Sequence, residues 1–281
     1  MDQVERASSE VDVLVPEVWS ANFYDTLLAS LPFKDIINKD YEGEIANLGD
    51  TVKISTVPEF GEATEFGEDE RVDADAVTVT QQSLVINKQV AKDFIVTNKA
   101  LLQSLPFVDK LRDLAIYAIM KKIEKNIIAL LVPSAAAPDH SIAYDAGTTL
   151  ALADLLEGKE LMDDQDIPGA DRHLVVGSAQ LNDIFNITGF TSSDFLTAGA
   201  GSPLQSGQVP GQLLGFMPHF TTLVGNTTYL LHKSAATMAN QKGMSTEKFN
   251  LGVDGKRATR VNSDTLYGQK LLDDKRIVTI G

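Results

Sequence analysis

Residues 98–132 read NKALLQSLPFVDKLRDLAIYAIMKKIEKNIIALLV, and their apolar residues recur every three or four positions. This spacing is typical of one continuous face of an α-helix. The face consists of Leu101, Leu105, Val108, Leu111, Ala115, Ile119, Ile123, Ile127 and Leu130. Pro106 fits the first turn, where its missing N–H breaks no helical hydrogen bond. The pattern predicts a helix from about Pro106 to Leu131, on the order of 40 Å long at about 1.5 Å per residue.

The other side of this helix is more polar and carries Lys121, Lys122 and Lys125. Strand-like sequence lies both before and after the helix. An amphipathic helix of this length between strands indicates an elongated domain, with the helix as its spine, rather than a compact catalytic one.

Composition excludes several classes of protein. The chain has 281 residues and no cysteine, which excludes disulfides, thiolate catalysis and zinc–thiolate sites. Its net charge of −15 argues against an ordinary nucleic-acid-binding module, because phosphate binding depends on clustered lysine and arginine. The first residues show no signal-peptide pattern, and no window has the roughly 18 or more apolar residues of a membrane span, so we expect no membrane segment.

The strongest change of composition lies in residues 59–75, which hold eight carboxylates and one arginine, a net charge of −7. Before this acidic segment, Thr51 to Val57 alternates as a strand, and after it Ala76 to Val96 is β-branched with period two. Two interpretations stay open. The segment is either a solvated loop or the tip of a protruding hairpin whose charge meets lysine or arginine on another molecule.

The N-terminal residues, from about 10 to 37, have mixed spacing with Pro16 and Pro32 as breaks. They predict an arm with one helix at about 17–30. Trp19 has two interpretations, an ordinary core residue or an anchor that holds the arm on a neighbouring surface.

After Pro133, a low-complexity stretch marks a predicted domain boundary and an α/β pattern follows. The predicted helices are Leu150 to Met162 and Ser178 to Ile184, and the predicted strands are Arg172 to Val176, Gly215 to Thr222 and Thr228 to His232, with a Gly/Ser-rich loop at 191–208. The chain ends in two strand-like runs joined by Asp273 and Asp274.

The sequence contains no complete match to the usual catalytic and metal-binding motifs. The four histidines are scattered in sequence, at His140, His173, His219 and His232, which predicts no metal site. The turn from Asp164 resembles the start of a calcium loop, but Val175 stands where a bidentate glutamate is needed. Gly199-Ala200-Gly201 is followed by Ser-Pro rather than a helix start. The sequence therefore predicts no catalytic, cofactor-binding or metal-binding residues.

Several stretches, taken in order, resemble one known family. They are DYEGEIANLGDTVKIST before the acidic segment, NKALLQSLPFVDKL at the start of the long helix, DIPGADRHLVVGSAQL and GQVPGQLLGF in the α/β region, and TLYGQKLLDDKRIVTI at the end. This ordered set resembles the major capsid proteins of tailed bacteriophages that have the HK97 fold. Fold analogy alone would not establish function.

The resemblance implies an α+β fold of the HK97-like capsid type. Its expected parts are an N-terminal arm at 1–48, an extended β-hairpin loop at 49–97 with its acidic tip at 59–75, a peripheral domain with the spine helix at 98–137, an α/β axial domain at 138–249, and strands that return to the peripheral domain at 250–281.

The resemblance also implies a structural function without enzymatic activity. Many copies would form pentamers and hexamers and close into an icosahedral shell around double-stranded DNA, without sequence-specific binding. The expected location is the virion capsid, assembled in the cytoplasm of the host bacterium. Expected partners are a separate scaffolding protein, because only about ten polar residues precede the arm, a portal, and possible decoration protein.

In this reading the acidic tip contacts a neighbouring subunit, and basic candidates lie on the spine helix. The hypothetical assembly contacts are Trp19, Glu59, Glu62, Glu65, Phe66, Glu68, Asp69, Glu70, Arg71, Lys121, Lys122 and Lys125. Some family members crosslink a loop lysine to an asparagine. The acidic segment contains no lysine, so we expect no such bond here.

Two other functions remain open at this point. An encapsulin-type nanocompartment shell protein resembles the same fold and encloses a cargo enzyme instead of a genome. An α/β enzyme with a dispersed site belongs to a different class, and it predicts a small oligomer with a deep pocket.

Overall fold

The computed structural model describes residues 28–42, 50–57, 62–63, 65, 77–97, 105–145, 147, 149–187, 212–251 and 258–281. The helices in these ranges are α1 (Phe33–Ile36), α2 (Leu105–Leu130), α3 (Leu152–Asp164) and α4 (Ser178–Asn186). The strands are β1 (Thr51–Thr56), β2 (Thr80–Thr97), β3 (Ser141–Ile142), β4 (Arg172–Val176), β5 (Met217–Phe220), β6 (Thr228–His232), β7 (Ala236–Asn250), β8 (Ala258–Leu271) and β9 (Ile277–Ile280).

Helix α2, called the spine helix below, confirms the sequence prediction to within one residue at each end. Its buried apolar residues in the described side chains are Ala115, Ile119, Ile123 and Ile127, which recur every four positions as the predicted apolar face requires. Local periodicity was therefore sufficient to place the central helix of the fold.

The spine helix packs against a four-stranded antiparallel sheet, called the long sheet, with strand order β1-β2-β8-β7. Tyr267 of β8 is fully buried in the same hydrophobic cluster as Ile123 and Ile127. Asn126 holds the spine helix on strand β8. Its side-chain Nδ2 donates to the Tyr267 hydroxyl at 2.7 Å, and its backbone carbonyl accepts from Gln269 Nε2 at 2.7 Å. The returning strand thus lies on the apolar face of the helix.

A second, five-stranded sheet has the order β3-β9-β6-β4-β5 and contains both parallel and antiparallel pairs. Alternate residues of β4 belong to different cores, as strand geometry requires. Leu174 and Val176 join Leu155 and Met162 of α3 in one cluster. Val175 joins the cluster of the spine helix. Hydrophobic residues therefore pack on both faces of this sheet, and one of the two clusters also contains residues of the spine helix.

Most of the predicted elements are confirmed within a few residues, but strand β7 was missed. The sequence placed no strand at Ala236–Asn250, because these residues lack apolar alternation. Its first residues, such as Met238, are buried in the hydrophobic core, and polar cross-strand contacts to β8 stabilise the rest of the strand. Lys242 Nζ lies 2.8 Å from the carboxylate of Asp264, and Ser245 Oγ donates to the same carboxylate at 2.8 Å.

The sheets also group two strands differently from the sequence prediction. The prediction put residues 236–249 with the axial domain and 250–281 with the peripheral domain. However, β7 pairs with β8 in the long sheet, and β9 pairs with β6 in the five-stranded sheet. The chain therefore crosses between the sheets twice near its end. The division into domains remains a prediction.

The described part of the arm, residues 28–42, runs along the spine helix. Phe33, Ile36 and Ile37 are buried in the hydrophobic cluster that also contains Ile123 and Ile127 of the spine helix, called the spine cluster below. The arm continues to the long sheet, where the Thr237 hydroxyl donates to the carbonyl of Asn38 at 3.1 Å. Of the helix predicted at about 17–30, only residues 28–30 are described, and they are not helical.

Candidate assembly surface

The lysines of the spine helix lie away from its buried face. Lys122 and Lys125 are exposed and Lys121 is half-buried. Residues three or four positions apart are neighbours on a helix, so Lys125 lies beside both of the others. None of the three makes an ion pair with any residue that the structure describes. This side of the helix therefore carries uncompensated positive charge in a chain of net charge −15.

A fourth lysine, Lys88 of β2, joins this surface and was missed from the sequence. Burial lowers the pKa of Lys88, and the nearby charge of Lys122 lowers it further. Strand β2 brings Lys88 to the helix only through tertiary packing, so no local sequence signal could have found it. We call Lys88, Lys121, Lys122 and Lys125 the lysine surface. Lysines held close together without a carboxylate attract an anion from outside the chain.

The acidic segment connects two antiparallel strands, which is compatible with both of its interpretations. Strands β1 and β2 are antiparallel, and their register pairs Thr56 with Thr80, so the segment joins two neighbouring strand ends. Glu62 and Glu65 are exposed, and within the described ranges neither has an ion-pair partner. The other predicted contacts in and before this segment lie outside the described residues, namely Trp19, Glu59, Phe66, Glu68, Asp69, Glu70 and Arg71.

A buried carboxylate attaches the arm to the spine helix. Glu124 is fully buried although its side chain is ionisable, and it lies between the buried Ile123 and Ile127 in the sequence. Its two oxygens accept the backbone N–H groups of Phe33 at 3.1 Å and Lys34 at 2.8 Å. Burial raises the pKa of Glu124, and these two hydrogen bonds partly oppose the rise. The carboxylate thus satisfies donors at the start of α1 that would otherwise be unpaired.

Further hydrogen bonds fix the preceding arm residues. The Tyr117 hydroxyl accepts from the backbone N–H of Ala29 at 2.7 Å and lies 3.2 Å from its carbonyl oxygen. The Thr221 hydroxyl, just after β5, donates to the carbonyl of Ser30 at 2.8 Å. The described arm is therefore held by both the spine helix and the five-stranded sheet. Sequence reasoning missed Glu124 because its partners lie about 90 residues away.

Two histidines that are scattered in the sequence meet in the structure. His173 Nδ1 lies 3.1 Å from His219 Nε2, on the adjacent strands β4 and β5. Burial lowers the pKa of His173 to about 4, with a further contribution from His219, and burial also lowers the pKa of His219. The described ranges contain no group of three or more potential metal-binding side chains.

No helix in the described part of the chain is long and apolar enough to cross a membrane.

The site has three features, namely the lysine surface, the acidic segment between β1 and β2, and the arm held on the spine helix. Such an arrangement can bind charged groups of another protein over an extended face.

Known capsid proteins share this fold over nearly the whole chain. A structure from Mycobacterium phage Che8 has a TM-score of 0.74 at 22% identity, and the match covers 95% of this chain and 97% of that one. The capsid of the cyanophage P-SCSP1u has a TM-score of 0.74 at 11% identity, covering 96% of this chain and 93% of that one. The capsid asymmetric unit of cyanophage Pam1 has a TM-score of 0.72 at 13% identity, covering 95% and 96%.

In sequence, no curated protein matches significantly. A family model described as phage capsid protein matches residues 108–281, which is more than half of the chain. This match favours a virion protein over the encapsulin and enzyme alternatives. The chain belongs to the phage capsid protein family, and it is a structural major capsid protein with the α+β, HK97-like fold.

Proposed function

We propose that this chain assembles as pentamers and hexamers into an icosahedral shell that encloses double-stranded DNA. The family match to residues 108–281 carries this proposal, and the likeness of the whole fold to capsid structures supports it. The shell would form in the cytoplasm of the host bacterium. The net charge of −15 fits a shell protein that surrounds DNA without binding specific DNA sequences.

The acidic segment and the lysine surface supply the proposed contact between subunits. The segment carries a net charge of −7, and Lys121, Lys122 and Lys125 of the spine helix have no ion-pair partner in the described chain. We assign Glu59, Glu62, Glu65, Glu68, Asp69 and Glu70 to the acidic partner, and Lys121, Lys122 and Lys125 to the basic one. Each exposed pair contributes only about 0–1 kcal/mol, but a closed shell repeats the contact at every subunit.

The remaining assembly residues and the domains keep their predicted roles. Phe66 and Arg71 would lie at the same contact, and Trp19 would anchor the arm on a neighbour. The proposed extended loop keeps β1 and β2, the proposed peripheral domain combines the spine helix with β7 and β8, and the five-stranded sheet with α3 and α4 forms the proposed axial domain. A separate scaffolding protein, a portal and possible decoration protein complete the proposed partners.

Electron microscopy of the purified full-length protein, expressed alone and with the scaffolding gene of the same genome, tests this function. We expect closed shells, or free hexamers and pentamers, in at least one of the two preparations. A uniform small oligomer in both preparations would contradict the proposal and favour the enzyme alternative.

A further inference from the structure

An exposed group of valines lies at the base of the acidic segment. Val57, just after β1, is 62% exposed, and Val77 and Val79, just before β2, are 54% and 49% exposed. The register pairs Thr56 with Thr80, so Val57 and Val79 directly follow and precede the last strand pair before the segment. We call the three valines the valine patch. Exposed apolar side chains that are grouped, rather than scattered singly, are typical of an interaction surface.

A second exposed apolar surface continues the lysine side of the spine helix. Lys122, Lys125 and Ala129 are all exposed, and their spacing of three and four positions places them on one side of the helix. Val132 follows just beyond the end of the helix and is 58% exposed. We call Ala129 and Val132 the apolar end of the spine helix. The charged part of this side is therefore followed along the helix axis by an apolar part.

The two surfaces match in order and in spacing. On the hairpin, Val77 and Val79 come two and four residues after Asp75, the last carboxylate of the segment. Four residues of extended chain span at most about 13 Å. On the helix, Val132 comes seven residues after Lys125, which is about 10 Å at about 1.5 Å per residue. A hairpin whose carboxylates lie beside the lysines can therefore place its valines beside the apolar end.

This contact has to join two copies of the chain. The valine patch and the apolar end are both exposed in one subunit, so they do not cover each other there. The groups next to them carry opposite charge, since the acidic segment has a net charge of −7 and the three lysines of the lysine side have no ion-pair partner in the described chain. We propose that the valine patch of one subunit packs on the apolar end of the spine helix of a second copy. This inference rests on the proposed function, in which shell assembly brings the hairpin of one copy to the helix of another.

The apolar part gives the contact two properties that ion pairs alone do not provide. Exposed ion pairs are weak and are screened by salt, whereas the burial of apolar side chains is not. Charges alone would also let the hairpin shift along the lysines. Valines at one end of the contact fix the position of the hairpin along the helix.

Cysteine crosslinking tests this position directly, because the chain has no cysteine of its own. Shells assembled from the Val79→Cys, Val132→Cys double variant are treated with a short bis-maleimide, which joins two nearby thiols. We expect covalent multimers on denaturing gels, and monomers from either single variant. The control pair is Leu156→Cys with Val132→Cys, since Leu156 of α3 is similarly exposed at 47%. Shells of the test pair without multimers, or equal multimers from the control pair, would overturn the proposal.

A second variant removes the apolar contact without changing any charge. Val77→Ser combined with Val79→Ser should leave the subunit folded, as circular dichroism can check, because both side chains are exposed. Electron microscopy should show roughly tenfold fewer shells, at low and at high salt, because two valines are no longer buried in the contact. Leu156→Ser is the matched control and should assemble like the wild type.

The outcomes separate this inference from the function on which it rests. Wild-type numbers of shells from the folded double serine variant would overturn the valine contact and leave the proposed function intact. A wild-type chain that forms no shells in any preparation would contradict the proposed function itself.

Discussion

The two sides of the spine helix differ in where their partners lie. The apolar side, with Ile119, Ile123 and Ile127, is buried against strands and arm of the same chain. The polar side carries Lys121, Lys122 and Lys125, which have no ion-pair partner within the described chain. The apolar side of the helix stabilises the subunit, and we propose that its polar side binds another subunit.

The largest effect on stability should come from the buried side. Ile123→Ala removes a side chain that is 1% exposed at the centre of the spine cluster. Substitutions of this kind typically cost about 2–5 kcal/mol, because a cavity adds to the lost burial. Urea unfolding of the unassembled protein measures the loss. Lys122→Ala, one residue away on the polar side, is the matched control, and equal destabilisation by both variants would remove the distinction between the sides.

The next largest effect should come from Glu124, which is polar but lies on the buried side. Glu124→Leu leaves the N–H groups of Phe33 and Lys34 without their acceptor. An unpaired buried donor costs about 1–3 kcal/mol, so we expect a loss of this order in urea unfolding. Glu124→Gln keeps one acceptor oxygen and should lose less. A Leu variant as stable as the wild type would show that the carboxylate does not hold the arm.

The pH dependence of Glu124 provides a separate test. Its pKa in the folded chain is raised above the ordinary value of 4.5, so the folded state binds this proton at a higher pH than the unfolded state. Stability therefore rises as the pH falls through the raised pKa toward 4.5. Compared with Glu124→Gln, the wild type should gain stability when the pH is lowered from neutral toward 4.5. A relative loss in that window would contradict the direction of the shift.

The smallest effect on stability should come from the lysine surface. Lys88→Gln removes the repulsion between Lys88 and Lys122, and surface changes of this kind usually stay within about 0.5 kcal/mol. We expect a slight rise in the thermal midpoint at low ionic strength that fades with added salt. Lys53→Gln on β1, an exposed lysine, is the control, and a rise of the same size in both variants would contradict the local repulsion.

The comparison also shows which features the sequence could predict. The spine helix and strands such as Arg172–Val176 depend on local periodicity, which the sequence displays directly. Strand β7 depends on polar contacts with β8, such as that of Lys242 with Asp264, and these are visible only after the strands pair. Glu124, Lys88 and the histidine pair likewise depend on partners distant in sequence.

The central claim is that the lysine side of the spine helix binds the acidic segment of a neighbouring subunit. Two charge-reversed variants test it most directly, one with Glu68, Asp69 and Glu70 changed to Lys, the other with Lys121, Lys122 and Lys125 changed to Glu. Each alone should fold normally yet fail to form shells in electron microscopy. The sixfold variant that combines them should recover assembly, because the opposite charges face each other again. Normal shells from either single variant, or a combined variant that folds but does not assemble, would contradict the claim.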